Sequence, residues 1–247
     1  MLVFKHNPGV QKSEGGRQDP QPDPGPNPKP QQDTIPKNFC GNSETNANLQ
    51  ATINNNLQNY STLNCATKYI YKTPAEHNFN MTFCVNGQLP KNAAFDPASN
   101  TLSFKTDYTA GNVDIMAHEM FHAYQDDFYG GTNQYGGSGT PGYVNIEFEQ
   151  AVMADIMKGF GTAFGFMGTP VQRNDYQNWL IGITNNFTEY PNLTPGTAEY
   201  DTFMNGYFNQ LNIFNSFSDN SYKGTVINTL EPKAMLNVLK SITNNCQ

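Results

Sequence analysis

Apolar residues recur along this chain in two rhythms, and the alternation between them predicts its elements. Leu49, Ile53, Leu57 and Tyr60 stand three and four apart behind Ser43, a residue able to cap a helix. Lys68–Lys72 and Phe79–Val85 are rich in β-branched and aromatic residues and predict strands. Thr101-Leu102-Ser103-Phe104-Lys105, after the turn-like Asp96-Pro97-Ala98-Ser99-Asn100, predicts another. Ile115, Met116, Ala117, Met120, Phe121, Ala123 and Tyr124, all uncharged, predict a buried helix, and the glycine-rich segment from Gly130 to Gly142 a loop. Asn145 to Met157 reads as a helix capped by Asn145, its apolar face running through Val152, Met153, Ile156, Met157 and Phe160. Beyond residue 174 the pattern is mainly helical, and Leu236, Leu239 and Ile242 keep helical register in the last segment. No internal repeat is present. The expected class is α+β, a small mixed β-sheet packed on helices with a mainly helical C-terminal part.

Length and composition allow one catalytic-sized domain with a substantial core over residues 37–247. Residues 1–36 read as a disordered tether, because proline occupies every second position from Pro20 to Pro30 and favours an extended polyproline form. Charged residues make up 14% of the chain, against roughly 25% in ordinary soluble domains. The formal charge of −7, with no basic stripe, argues against a nucleic-acid partner. No apolar stretch of about 20 residues exists to span a membrane. Cys40, Cys65, Cys84 and Cys246 lack metal-ligand spacing and point to disulfides, hence to an exported protein. Four cysteines allow three pairings, and the sequence does not choose. Cys40 with Cys246 would tie the ends of the domain, and Cys65 with Cys84 would staple two neighbouring strands.

The chemistry lies in His118-Glu119-Met120-Phe121-His122. On a helix, residues four apart share a face, so both imidazoles can reach one metal ion. Glu119 falls about 100° round the helix, beside that ion rather than on it. A carboxylate there can take a proton from a water and return it to a leaving amine. The uncharged flanks fit a helix buried around such a site.

This segment resembles the signature of the zincin metallopeptidases. The resemblance implies a zincin-like fold, a Zn2+ cofactor, a peptide or protein substrate, His118 and His122 as ligands and Glu119 as general base. It also implies a third ligand. The branch with a further histidine six residues after the second has Phe128 at that place, and the branch with an aspartate ligand finds only an incomplete echo in Gly131-Thr132-Asn133-Gln134-Tyr135-Gly136. The gluzincin branch takes a glutamate from a later helix, where Glu147 and Glu149 are both available. Glu149 continues the apolar stripe, and a buried carboxylate needs a positive partner. It is therefore the favoured ligand, with Glu147 as the alternative. Glu147 shares a face with Asp155, which could orient a ligand histidine. Tyr135 or Tyr143 could hydrogen-bond the oxyanion.

The strand at 101–105 resembles in position the zincin edge strand that pairs with substrate. The proline-rich segment resembles the tether of bacterial surface lipoproteins, which would place the protein outside the cytoplasm, secreted or held at the surface by a lipid anchor. The competing expectation is an inactive metal-binding or adhesive surface module.

Overall fold

The computed structural model describes residues 35 and 37–245, except 41–42, 78, 159–161, 188, 192 and 218–220. The chain divides into two units, Met1–Gln31 and Gln32–Gln247, and every described residue belongs to the second. The tether expected over residues 1–36 thus lies outside the described residues, apart from Ile35, which is buried in the core.

Four short strands form a mixed sheet in the order β1-β2-β4-β3: β1 (Lys37–Phe39), β2 (Met81–Val85), β3 (Ala93–Asp96) and β4 (Thr101–Phe104). β1 and β4 run parallel to β2, and β3 runs antiparallel to β4. The order corrects one expectation. The strand at 101–104 is interior, paired on both sides, and the edge belongs to β3. The reason is the tight turn at Pro97–Asn100, which folds β3 back as a hairpin arm outside β4. Within it Asp96 accepts from the Ala98 amide (3.1 Å), and Asn100 takes a left-handed conformation at φ 50°.

Around the sheet lie α1 (Ser43–Leu63), α2 (Cys65–Glu76), α3 (Asp107–Ala110), α4 (Val113–Tyr129), α5 (Tyr143–Lys158), α6 (Pro170–Ile183), α7 (Ala198–Phe217) and α8 (Lys233–Asn245). α1 buries Leu49, Ile53, Leu57 and Tyr60, the face its spacing predicts. The strand expected at 68–72 is instead the middle of α2. Asn64 and Thr67 form a reciprocal capping box there, and Ala66, Ile70 and Pro74 make a helical buried stripe against α1 and α4. β-Branched and aromatic enrichment in a five-residue window is a weak signal beside a cap and a packed face.

The cysteines also pair otherwise than sketched. Cys40, directly after β1, is bonded to Cys84 in β2, and so joins two strands already paired in parallel. Cys65, at the start of α2, is disulfide-bonded as well, while Cys246 lies outside the described residues. No helix among the described residues is long and apolar enough to cross a membrane.

α4 and α5 are the innermost helices. α4 is started by Asn112, whose side chain accepts from the amides of Asp114 (2.9 Å) and Ile115 (3.2 Å). It ends at Gly130, left-handed at φ 68°, a conformation that costs glycine little. α5 has no solvent face over most of its length: every residue from Val144 to Ile156 is buried. It begins two residues before the expected cap. Asn145 lies inside it and ties it to the C-terminal segment, donating to the Ile227 carbonyl (2.9 Å) and accepting from the Ile227 amide (3.0 Å).

Candidate metal centre

His118 and His122 sit one turn apart on α4, and their Nε2 atoms converge to 3.1 Å. From α5, Glu147 brings Oε2 to 3.4 Å from His122 Nε2 and 3.9 Å from His118 Nε2. Donor atoms about 2.0–2.1 Å from a tetrahedral ion lie about 3.3 Å from one another. The three observed separations bracket that value, so His118, His122 and Glu147 could hold one metal ion. The cluster opens into a cleft of about 840 Å³ bordered by β3, by Thr132–Gly137 and by Tyr143 and Tyr222.

The favoured third ligand is therefore not the one the structure brings to the histidines. Glu149 points away from them. Its carboxylate accepts from Gln125 Nε2 (2.7 Å), the Tyr129 hydroxyl (3.1 Å) and the Met235 amide in the first turn of α8 (2.8 Å). A carboxylate buried on α5 does require compensation. What supplies it is a helix N-terminus with two side-chain donors rather than an ion. Because α5 is buried all round, an apolar stripe could not distinguish one glutamate from the other.

Asp155 shares a helix face with Glu147 but stands eight residues on, about 12 Å along the axis. There it accepts from the amides of Thr162 (2.6 Å) and Phe164 (3.2 Å) and from the Tyr176 hydroxyl (2.8 Å), fastening the segment after α5 to α6. The expected bond from Asp155 to a site histidine is absent. His77 pairs with Asp127 (2.7 Å), outside the cluster, and His6 lies outside the described residues.

Gln125, which the sequence reading passed over, takes the orienting place. Its Nε2 donates to Glu149 and to the Ile146 carbonyl (3.0 Å), so its Oε1 must face His122, where it accepts from Nδ1 at 2.8 Å. That bond fixes Nδ1 as the N–H and turns Nε2 towards the cluster. The spacing could have revealed it, since residue i+3 on a helix meets residue i.

Tyr143 and Tyr135 both border the cleft. Burial holds the Tyr143 phenol up, and its hydrogen bond to Glu147 raises it further while helping to hold the carboxylate down, so its one proton rests on that carboxylate. It also accepts from Lys91 Nζ (3.3 Å). This leaves Tyr143 positioning Glu147, without a proton for an oxyanion.

The charges are tightly coupled. Burial and the neighbouring His122 push His118 down to about 3, so it is neutral. Burial also works against a charge on His122, but Glu147, with Glu119 and Gln125, outweighs it and holds the imidazole up at about 9. Burial would likewise raise Glu147, yet its bonds to His122 and Tyr143 bring it to about 2. Glu119 is buried beside them and rises to about 7, chiefly through burial and against the pull of His122; the Phe95 amide of β3 donates to it. Without metal the site is an imidazolium–carboxylate pair beside a neutral histidine.

No protein-family model, no curated protein and no solved structure matches the chain.

Two outcomes follow from this arrangement. Metal must displace the His122 proton, so below about pH 9 affinity rises with pH, by about tenfold per unit, and about one proton per chain is released at pH 7. Calorimetry in buffers of different ionisation enthalpy reads that proton; its absence would mean His122 is already neutral. Gln125→Leu removes the bond to Nδ1 and should weaken metal binding about 10- to 100-fold, measured by competition with a chelator.

Proposed function

We propose that the protein is a zinc-dependent peptidase of gluzincin type, acting on peptide or protein substrates outside the cytoplasm. The observation that carries this reading is the donor set. Two imidazole nitrogens and one carboxylate oxygen, at tetrahedral spacing and open to a cleft, suit a catalytic zinc that keeps one position for water. Zinc, when bound, lowers the pKa of a water and polarises a substrate carbonyl.

The chain's own groups supply the rest. Glu119 does not join the ligand cluster but stands next to it, buried, with its carboxyl brought near 7, where a group can both take and return a proton at neutral pH. As base it removes a proton from water; as acid it delivers that proton to the departing nitrogen. The Phe95 amide steadies its carboxylate, which ties the base to the edge strand. β3 is the edge strand beside the cleft, and pairing along its main-chain groups other than the Phe95 amide would align an extended substrate backbone without reading side chains. The Thr132–Gly137 loop faces it from across the cleft. Asp126 holds that loop by accepting from the Thr132 amide (2.5 Å) and hydroxyl (2.9 Å). Tyr135, on the same loop, borders the cleft and would serve the oxyanion.

An extracytoplasmic location fits the Cys40–Cys84 disulfide, since such bonds persist in oxidising compartments.

Glu119→Gln separates chemistry from metal binding. The variant should keep one zinc per chain and lose at least about 100-fold in hydrolysis of a fluorogenic peptide library. Undiminished cleavage would remove Glu119 from the mechanism, and no cleavage by the zinc-loaded wild type would remove the peptidase reading.

A further inference from the structure

Lys91 precedes the edge strand β3 and lines the cleft; Asp114, also in the lining, is paired with Lys158, while Lys91 forms no ion pair among the described residues. Its ammonium donates to the Tyr143 hydroxyl (3.3 Å) and lies 4.6 Å from the centroid of the Tyr222 ring. Two hydrogen bonds in series, Lys91 to Tyr143 and Tyr143 to Glu147, place it within about 6 Å of the Glu147 carboxylate. Lys91 also acts electrostatically on His118 and Glu119.

A lysine half-buried against a tyrosine face, with only one of its three N–H groups spent among the described residues, is a donor waiting for an acceptor. Lys91 is the only lysine or arginine among the described residues that line the cleft, and its remaining N–H groups can take a substrate carboxylate.

We propose that Lys91, seated between Tyr143 and Tyr222, forms a carboxylate-binding subsite that selects peptides bearing an acidic group close to the cleaved bond. This rests on the peptidase reading for its setting, and the ligand class it names is a peptide carboxylate. The Tyr222 ring and the Tyr143 hydroxyl hold the ammonium on its flexible stem, so that the substrate group meets a fixed charge.

The test reads binding apart from turnover. Zinc-loaded Glu119→Gln protein is titrated by calorimetry with three peptide pools: blocked hexapeptides carrying one glutamate, the matched pool with glutamine, and the glutamine pool with a free C-terminus. The glutamate pool should bind about tenfold more tightly than its blocked glutamine match, the scale of one charge-assisted hydrogen bond. Adding Lys91→Met should abolish the difference, and Lys91→Arg should restore it. A preference for the free C-terminus instead would identify the terminal carboxylate as the group read, provided it too vanishes with Lys91→Met. Equal binding of all pools, no binding of any, or a preference that survives Lys91→Met would overturn the proposal, the last because the metal alone would then explain it. Zinc content of the Lys91→Met protein checks that the site is intact. Wild-type protein that binds glutamate peptides through Lys91 but cleaves none would sink the peptidase reading and leave the subsite standing.

Discussion

A helix buried on every side cannot carry carboxylates unless each has its own partner, and α5 carries three. Glu147, Glu149 and Asp155 are all buried, and each is met by a different set of donors. Glu147 meets the histidines of α4 and the Tyr143 hydroxyl. Glu149 meets Gln125, Tyr129 and the N-terminus of α8, and Asp155 meets Tyr176 and the chain just after α5. An unpaired charge at any of these places would cost several kcal/mol. The relative placement of α4, α5, α6 and α8 therefore depends on satisfying these three groups. The candidate metal centre is the one of the three in which the compensating groups face a cleft.

Two of these clusters share a component, which couples support to site. Gln125 bonds to Glu149 on one side and His122 on the other, so the position of a ligand imidazole is set by a network reaching the last helix. Tyr129 strengthens the link by bonding to Glu149 and accepting from the Ala234 amide. Such support holds His122 in place and would reduce the ordering that metal binding requires. The C-terminal helix thus contributes to the site without touching it.

Much of this was legible from local spacing. The His118–His122 pair, with Glu119 beside it, needs only helical geometry, and the α1 stripe, β4 and the helical C-terminal part follow from periodicity. What failed were inferences about non-local partners. The segment at 68–72 was read by composition, whereas the Asn64–Thr67 capping box and packing against α1 and α4 decide for a helix. The choice of Glu149 over Glu147 assumed that one face of α5 is polar, and tertiary burial erased that distinction. The cysteine pairing and the edge position of β3 depend on strand order, which no local pattern encodes. Lys91, distant in sequence from both helices of the candidate metal centre, carried no signal at all.

Metal content of the wild type, Glu147→Ala and Glu149→Ala proteins, by elemental analysis after loading with zinc, bears most directly on the arrangement. One zinc per chain in the wild type and in folded Glu149→Ala, with loss in Glu147→Ala, is the expected result. Retention of zinc by Glu147→Ala, or none in the wild type, would contradict a centre built from His118, His122 and Glu147.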